Sequence, residues 1–342
     1  MIAKLSALFL VLLFGWALVY TGDDGQTEDA AQALGDQSKR PSRESLPRDI
    51  EVLEETGEHR LVQHPLGTTE VPLAPRRIVS LSSAATDSLL ALGVEPILAE
   101  VPSRDLGWAV HLTDRLKNVP MFRGGEVLSL EAVSEAKPDL ILMSVSQNGT
   151  LYPQLSKIAP TVSIASSTRG DRELRILDVG AVLGIPDQAQ RRLAEYRRLL
   201  KGAKSVLAAK AADQTAVFLR FRRNTCVVYT QTTMFGPLLF RQLGIVPDPA
   251  VPVGGGSKGW DVLSLERLST IRAEHIFVVV DKDSEHYLKN LAESPIWREI
   301  PAVRHRHVHR VASGTWLGGD GLLGCEAIVH DVLAAMVPGE HP

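Results

Sequence analysis

Apolar and polar positions along this chain follow two rhythms that trade places every ten residues or so. Runs of strand length, Arg77–Leu81, Pro96–Val101, Leu140–Met143 and Thr161–Ala165, alternate with segments of helical spacing. One such helix, Ala84–Leu92, follows the capping residues Ser82 and Ser83 and ends at Gly93. A β-hairpin is expected ahead of these, from Arg60, with Pro72 and Pro75 as breakers, and a short helix over Leu151–Ile158. Asp171–Lys210 keeps helical spacing throughout, and Gly184 and Pro186 interrupt it, so two helices or one bent helix fit equally. Beyond Asp213 the pattern predicts strand Ala216–Arg222, a turn at Arg223–Thr225, strand Cys226–Tyr229 and helix Phe235–Leu243. Strand Ile276–Val280, helix Leu288–Glu293, strand Val308–Val311 and helix Leu322–Val337 complete the chain. Alternating strands and helices imply an α/β fold with parallel sheet.

One stretch occurs twice. Glu126–Ser144 and Asp261–Val280 share the letters VLSLE, offset by 135 positions, each followed by a short amphipathic helix and an apolar strand. Ser129 and Ser264 stand where a helix N-cap belongs, and Glu131 and Glu266 fall in the first turn, where an acid suits the helix dipole. The repeat suggests two similarly built lobes, each with an acidic corner. The expected organisation is a signal peptide or N-terminal anchor over 1–22 and a disordered linker over 23–58. An N-terminal α/β lobe over 59–170, a connector helix over 171–212 and a C-terminal α/β lobe over 213–338 follow.

Composition narrows the function. A length of 342 residues suits two domains, and a net charge of −3 argues against nucleic acid. Lys4 precedes the apolar run Leu5–Tyr20, which reads as an export signal, rather short for a membrane span. No cysteine lies near it to carry a lipid. Cys226 and Cys325 permit one bridge or two buried thiols, and no CxxC is present.

Candidate chemistry is sparse. Arg220 and Arg222 flank Phe221, so both guanidinium groups share one strand face, near the strand's carboxyl end where α/β folds bind ligands. Two such forks suit an oxygen-rich anion, or equally a solvated edge. Trp316 in SGTWLGGDG, and Tyr229 at a strand end, are each a ligand platform or a hydrophobic plug. His305, His307 and His309 alternate, which fits a metal site or an exposed edge. Gly254–Gly256 with Ser257 and Lys258 lacks phosphate-loop spacing, and no GxSxG or HExxH appears, so no catalytic residue, cofactor or resident metal is expected.

Five segments in this order carry a resemblance: HPLGTTEVPLAPRRIVSLSSAATDSLLALG, SLEAVSEAKPDLILMS, LYPQLSKIAPTV, LRFRRNTCVVYTQTTMFGPLLFRQLGI and SGTWLGGDGLLGCEAIVHDVL. From about His59 to Val337 the chain resembles the periplasmic iron–siderophore-binding proteins of ABC importers, a group with cobalamin- and haem-binding relatives. The resemblance implies a non-enzymatic, monomeric carrier of two Rossmann-like lobes joined by a long connector helix, with a ferric siderophore of hydroxamate or citrate type held between them. Haem, cobalamin or a bare metal ion is the alternative cargo. It further implies that Arg220, Arg222, Tyr229, Trp316 and, more loosely, Arg123 meet the ligand, and that Glu131 and Glu266 dock an ABC permease. Many Gram-positive members carry a lipobox cysteine, absent here, which points to a periplasmic protein or one tethered by an uncleaved N-terminal segment.

Overall fold

The computed structural model describes residues 50–101, 110–123, 128–164, 172–254, 259–319 and 321–340. The expected export signal and the expected linker as far as residue 49 lie outside the described residues, as do Glu126 and residues 255–258 of the Gly-rich loop. Among the described residues the strands form three sheets. The first is an antiparallel meander of β1 (Glu51–Glu55), β2 (His59–His64) and β3 (Gly67–Pro72). The expected hairpin is β2–β3, and β1 corrects the linker reading over its last residues. Every β1 side chain is exposed, so its sequence carries no burial pattern, and pairing to β2 is what makes it a strand.

The N-lobe sheet is wholly parallel: β4 (Ile78–Leu81), β5 (Leu98–Val101), β6 (Met121–Arg123), β7 (Leu140–Ser144) and β8 (Thr161–Ile164), in the order β6-β5-β4-β7-β8. Strands β4 and β7 are buried on both faces, which is why they read as unbroken apolar runs. Helix α1 (Ser83–Ala91) crosses from β4 to β5; Ser82 caps it by accepting from Ala85 N, and Gly93 turns the chain away at φ 74°. Helix α2 (Leu130–Glu135) leads from β6 toward β7, with Ser129 accepting from Ala132 N as expected. Strand β6 went unread because three residues carry too little periodicity.

Between the lobes the chain forms two helices, α3 (Arg175–Leu183) and α4 (Pro186–Lys210). Gly184 ends α3 in the left-handed region at φ 71°, where an added Cβ would strike the Arg60 guanidinium, and Pro186 starts α4 at its first turn. At 25 residues α4 is about 37 Å long.

The C-lobe sheet is mixed, not wholly parallel. It comprises β9 (Thr215–Arg222), β10 (Thr225–Tyr229), β11 (Val246–Pro247), β12 (Trp260–Leu263), β13 (His275–Val280) and β14 (Val308–Arg310). Its order is β12-β10-β9-β13-β14, with β11 pairing β9. A two-residue turn of Arg223 and Asn224, at φ 46° and 58°, folds β10 back antiparallel on β9. Strands β13 and β14 run parallel to β9. Helix α5 (Leu265–Leu268) opens on Ser264, whose hydroxyl accepts from Arg267 N, so the doubled motif forms the same cap twice. The helix expected over Phe235–Leu243 is π-wound at Pro237–Gln242, with Leu243 N donating to Leu238 O. Helices α6 (Glu285–Glu293) and α7 (Leu322–Met336) complete the lobe's course.

One buried apolar cluster runs from Ile78 and Leu140 of the N-lobe through Val179, Tyr196 and Val332 to Phe218 and Phe277 of the C-lobe. Separate clusters fill the outer face of each sheet, around Val79 and Ile141 in one and Val217 and Ile276 in the other. The lobes therefore share a core instead of meeting across a solvated hinge. Cys226 and Cys325 belong to different clusters, and both are free and buried, with the Cys226 thiol pushed up to about 12 by burial.

His64 fastens the entry sheet to the N-lobe. Its Nδ1 meets Ser163 Oγ at 2.9 Å and accepts from Leu66 N, which leaves Nε2–H to donate to Thr69 Oγ1 at 2.9 Å. Burial lowers its pKa from 6.5 to about 4. Between those values the unfolded chain takes up a proton that the folded one refuses. The stability His64 contributes is therefore complete above pH 6.5 and declines as pH falls toward 4. Between pH 6.5 and pH 4 the unfolding free energy should fall by about 1.4 kcal/mol per pH unit for this residue alone. The slope should flatten in His64→Gln; an unchanged slope would show that another group sets it.

Candidate functional site

The C-lobe sheet presents one face to the shared core, and that face changes character along β9. Phe218 is buried under Tyr229 and Trp316, whereas Arg220 and Arg222, at the carboxyl end of the same face, are half-buried. Alternation sets this: Val217, Leu219 and Phe221 point into the outer cluster. The Arg220 guanidinium is held in a fork by Asp281, Nε to Oδ1 at 2.8 Å and Nη2 to Oδ2 at 2.7 Å. Burial by itself would lower the Arg220 pKa, but the bonds to Asp281 and the Tyr229 hydroxyl outweigh it and hold the cation above its ordinary value. Arg222 lies over the indole of Trp260, 5.7 Å from the ring centre. A cation stacked on an aromatic plane, beside a second cation fixed by a fork, can receive an oxygen-rich anion of some breadth.

Two expected ligand residues are buried. Trp316 is 0% exposed, stacks on Phe277 at 5.0 Å and donates Nε1–H to Asp331 Oδ2 at 2.8 Å. It is a core plug, because the short helix Ser313–Trp316 turns the indole back onto the sheet. Tyr229 is also buried, its ring stacked on Phe218 at 4.9 Å, so its hydroxyl supports Arg220 and its ring fills the core. Sequence reasoning missed Trp260 and Asp281. A signal for Asp281 existed, a carboxylate just past the strand that runs parallel beside Arg220.

On the N-lobe side, Arg123 closes β6 at the carboxyl edge of its sheet, the edge expected of a ligand-facing residue. At the same edge Asn148 donates to Leu81 O at 3.0 Å and to Glu100 Oε2 at 3.2 Å, joining the tops of β4 and β5. Burial pushes the Glu100 carboxyl up, and the Asn148 amide opposes this. Trp108 lies outside the described residues. Glu131 and Glu266 are exposed in the first turns of α2 and α5, on separate lobes.

Below the site, a polar node crosses between lobes. Asp87 of α1 is 1% exposed and accepts from Leu323 N and Gly324 N, both at 2.9 Å, capping α7 from the other lobe. His111 Nδ1 meets Thr315 Oγ1 at 3.2 Å, and Arg192 of α4 forks onto Glu326 of α7. Nothing local in the sequence marks Asp87 as a cap, since the helix it caps begins far away in the chain.

The alternating histidines do converge, though with each other. His309 Nε2 lies 3.0 Å from His275 Nδ1, and His275 Nε2 lies 2.8 Å from Gln214 Oε1. An amide oxygen only accepts, so His275 carries its proton on Nε2 and receives one from His309. His307 Nδ1 donates to Glu274 O and stacks on His275, while His305 sits beyond the strand as the cap of a helical turn. Burial, and then His307 and His309, lower the His275 pKa to about 4. Among the described residues no group of three or more His, Cys, Asp or Glu is placed to hold a metal ion. No helix of the described residues is long and apolar enough to cross a membrane.

The family model described as periplasmic binding protein matches residues 78–313. The chain is similar to the iron(3+)-hydroxamate-binding protein YxeB of Bacillus subtilis, 27% identical over 314 residues, covering 90% of this chain and 88% of that one. It is similar to the Fe(3+)-citrate-binding protein YfmC of the same organism, 25% identical over 288 residues, covering 82% and 86%. Among solved structures it is similar to SirA of Staphylococcus aureus complexed with staphyloferrin B, at a TM-score of 0.64 and 27% identity, covering 80% of this chain and 97% of SirA.

Proposed function

The chain belongs to the periplasmic binding protein family, and from that premise we propose that it binds a ferric siderophore outside the cytoplasmic membrane and delivers it to an ABC permease. The observation that carries the reading is the Arg220–Arg222–Trp260 wall at the carboxyl edge of the C-lobe sheet. Relatives whose names specify ferric hydroxamate, ferric citrate and staphyloferrin B as ligands support it. In this reading the siderophore coordinates the iron, so the protein supplies charge and aromatic surface and needs no metal ligands of its own. A chelate of hydroxamate or citrate type presents the carboxylate or hydroxamate oxygens that guanidinium groups bind in pairs. Glu131 and Glu266 are the docking points for basic side chains of the permease, one on each lobe. Residues 1–22 direct export, leaving the protein in the periplasm or tethered to the membrane's outer face. The shared core between lobes favours a largely preformed site with small lobe movement.

Titration of the purified protein with ferric citrate, a ferric trihydroxamate and a ferric tricatecholate tests the reading. Saturable quenching of tryptophan emission by at least one is expected. Among the tryptophans of the described residues Trp260 should report it, because Trp316 and Trp297 are buried in the cores, so Trp260→Phe should lower the signal. No quenching and no calorimetric heat with any of the three would overturn it.

A further inference from the structure

The doubled motif has the same backbone on both lobes, and its two surfaces differ. At matching positions, α2 reads Leu130, Glu131, Ala132, Val133, Ser134, Glu135, and the second copy reads Leu265, Glu266, Arg267, Leu268, Ser269, Thr270. The first set carries two acids and no base; the second carries one acid and one base. Arg267 is drawn back along β12, donating to Val262 O at 3.3 Å and lying 3.7 Å from Asp261. Apolar exposure runs the other way. Leu130 is half-buried against the N-lobe outer cluster. Its match Leu265, which opens α5, is 53% exposed beside Glu266, and Val262, on the strand that ends its sheet, is 51% exposed.

We infer that the two corners dock on unlike surfaces of the permease, the N-lobe corner through charge and the C-lobe corner through the apolar pair Val262 and Leu265. The inference rests on the docking role proposed above for Glu131 and Glu266. A corner whose helix carries two acids and no base gains most from basic side chains, and its contribution is screened by salt. Over the matching stretches 126–135 and 261–270 the first corner carries three acids and no base and the second two acids and one base, so the second gains less from charge and more from covering two large apolar side chains. The partner that fits is a permease surface of two unlike halves, one basic and one apolar. Such a pair accepts the carrier in one orientation and rejects the reversed one, which would set those acids against an apolar patch.

The test is radioiron uptake by spheroplasts of a strain lacking this protein, resupplied with purified protein and ferric citrate, a ferric trihydroxamate or a ferric tricatecholate. Glu131→Lys, Glu266→Lys and Leu265→Asp are compared at low and high ionic strength. All three positions are exposed, so unchanged melting and unchanged ligand affinity are expected. Glu131→Lys should lower uptake about tenfold and remove most of its salt dependence, and Glu266→Lys only about threefold. Leu265→Asp should lower uptake about tenfold with the salt dependence kept. Equal losses from the two glutamate variants, or no loss from Leu265→Asp, overturn this inference and leave the docking role standing. No loss from either glutamate variant overturns the docking role, and this inference with it.

Discussion

Replacing Arg222 with glutamate should weaken binding of a ferric citrate or ferric trihydroxamate about a hundredfold, near 3 kcal/mol. The guanidinium lies over Trp260 in a half-buried position, so its field is screened less than that of a fully solvated charge. Reversal removes one attraction and adds one repulsion to every negative oxygen the ligand presents. Arg222→Lys, which keeps the charge but loses the planar fork and much of the stacking, should cost less, about tenfold. Arg220 is a poorer probe. Removing it leaves Asp281 without its fork, so lost affinity and lost stability would be mixed. Calorimetric titration of both Arg222 variants decides the matter. Unchanged affinity in Arg222→Glu would place the ligand away from this wall.

The second large effect concerns the node between lobes. Asp87→Ala should lower the unfolding free energy by about 3 kcal/mol, roughly 6 °C in Tm. Two buried backbone N–H groups, of Leu323 and Gly324, would lose their acceptor. Asp87→Asn keeps one acceptor oxygen and should fall between. Gly321→Ala reaches the same contact from the other side, since a Cβ there would stand 2.2 Å from Asp87 Oδ1. Both alanine variants should therefore melt early, and scanning calorimetry reads the shift. A melting point equal to the parent's in Asp87→Ala would mean that α7 is held by its apolar face alone.

How far the molecule could be read from its residues depends on how far apart the interacting groups are. Ser129 and Ser264 were legible as caps because the N–H groups they accept from lie three residues on. Arg220 and Arg222 were placed on one face because strand alternation is a two-residue rule. Arg223 and Asn224 were legible as a turn, though the mixed sheet that follows was not, since pairing partners are chosen at long range. The burial of Trp316 was not legible for the same reason. Its loop position suggested access, while the rings that cover it come from β9 and β13. His305, His307 and His309 showed their alternation, and the ring that His307 and His309 meet, His275, lies 34 residues from His309.

By itself, then, the sequence determined the α/β alternation, the break at Gly184 and Pro186, the repeated capped corner and the paired arginines on one strand face. Each of these rests on steric and hydrogen-bonding terms between residues a few positions apart. Tertiary structure alone decided that Arg220 belongs to Asp281, 61 residues away, and that Arg222 lies over Trp260. It alone made Asp87 the cap of a helix whose first N–H groups lie more than 230 residues on. Parallel strand register and the shared apolar core set those meetings, and neither is encoded in any short window of the chain.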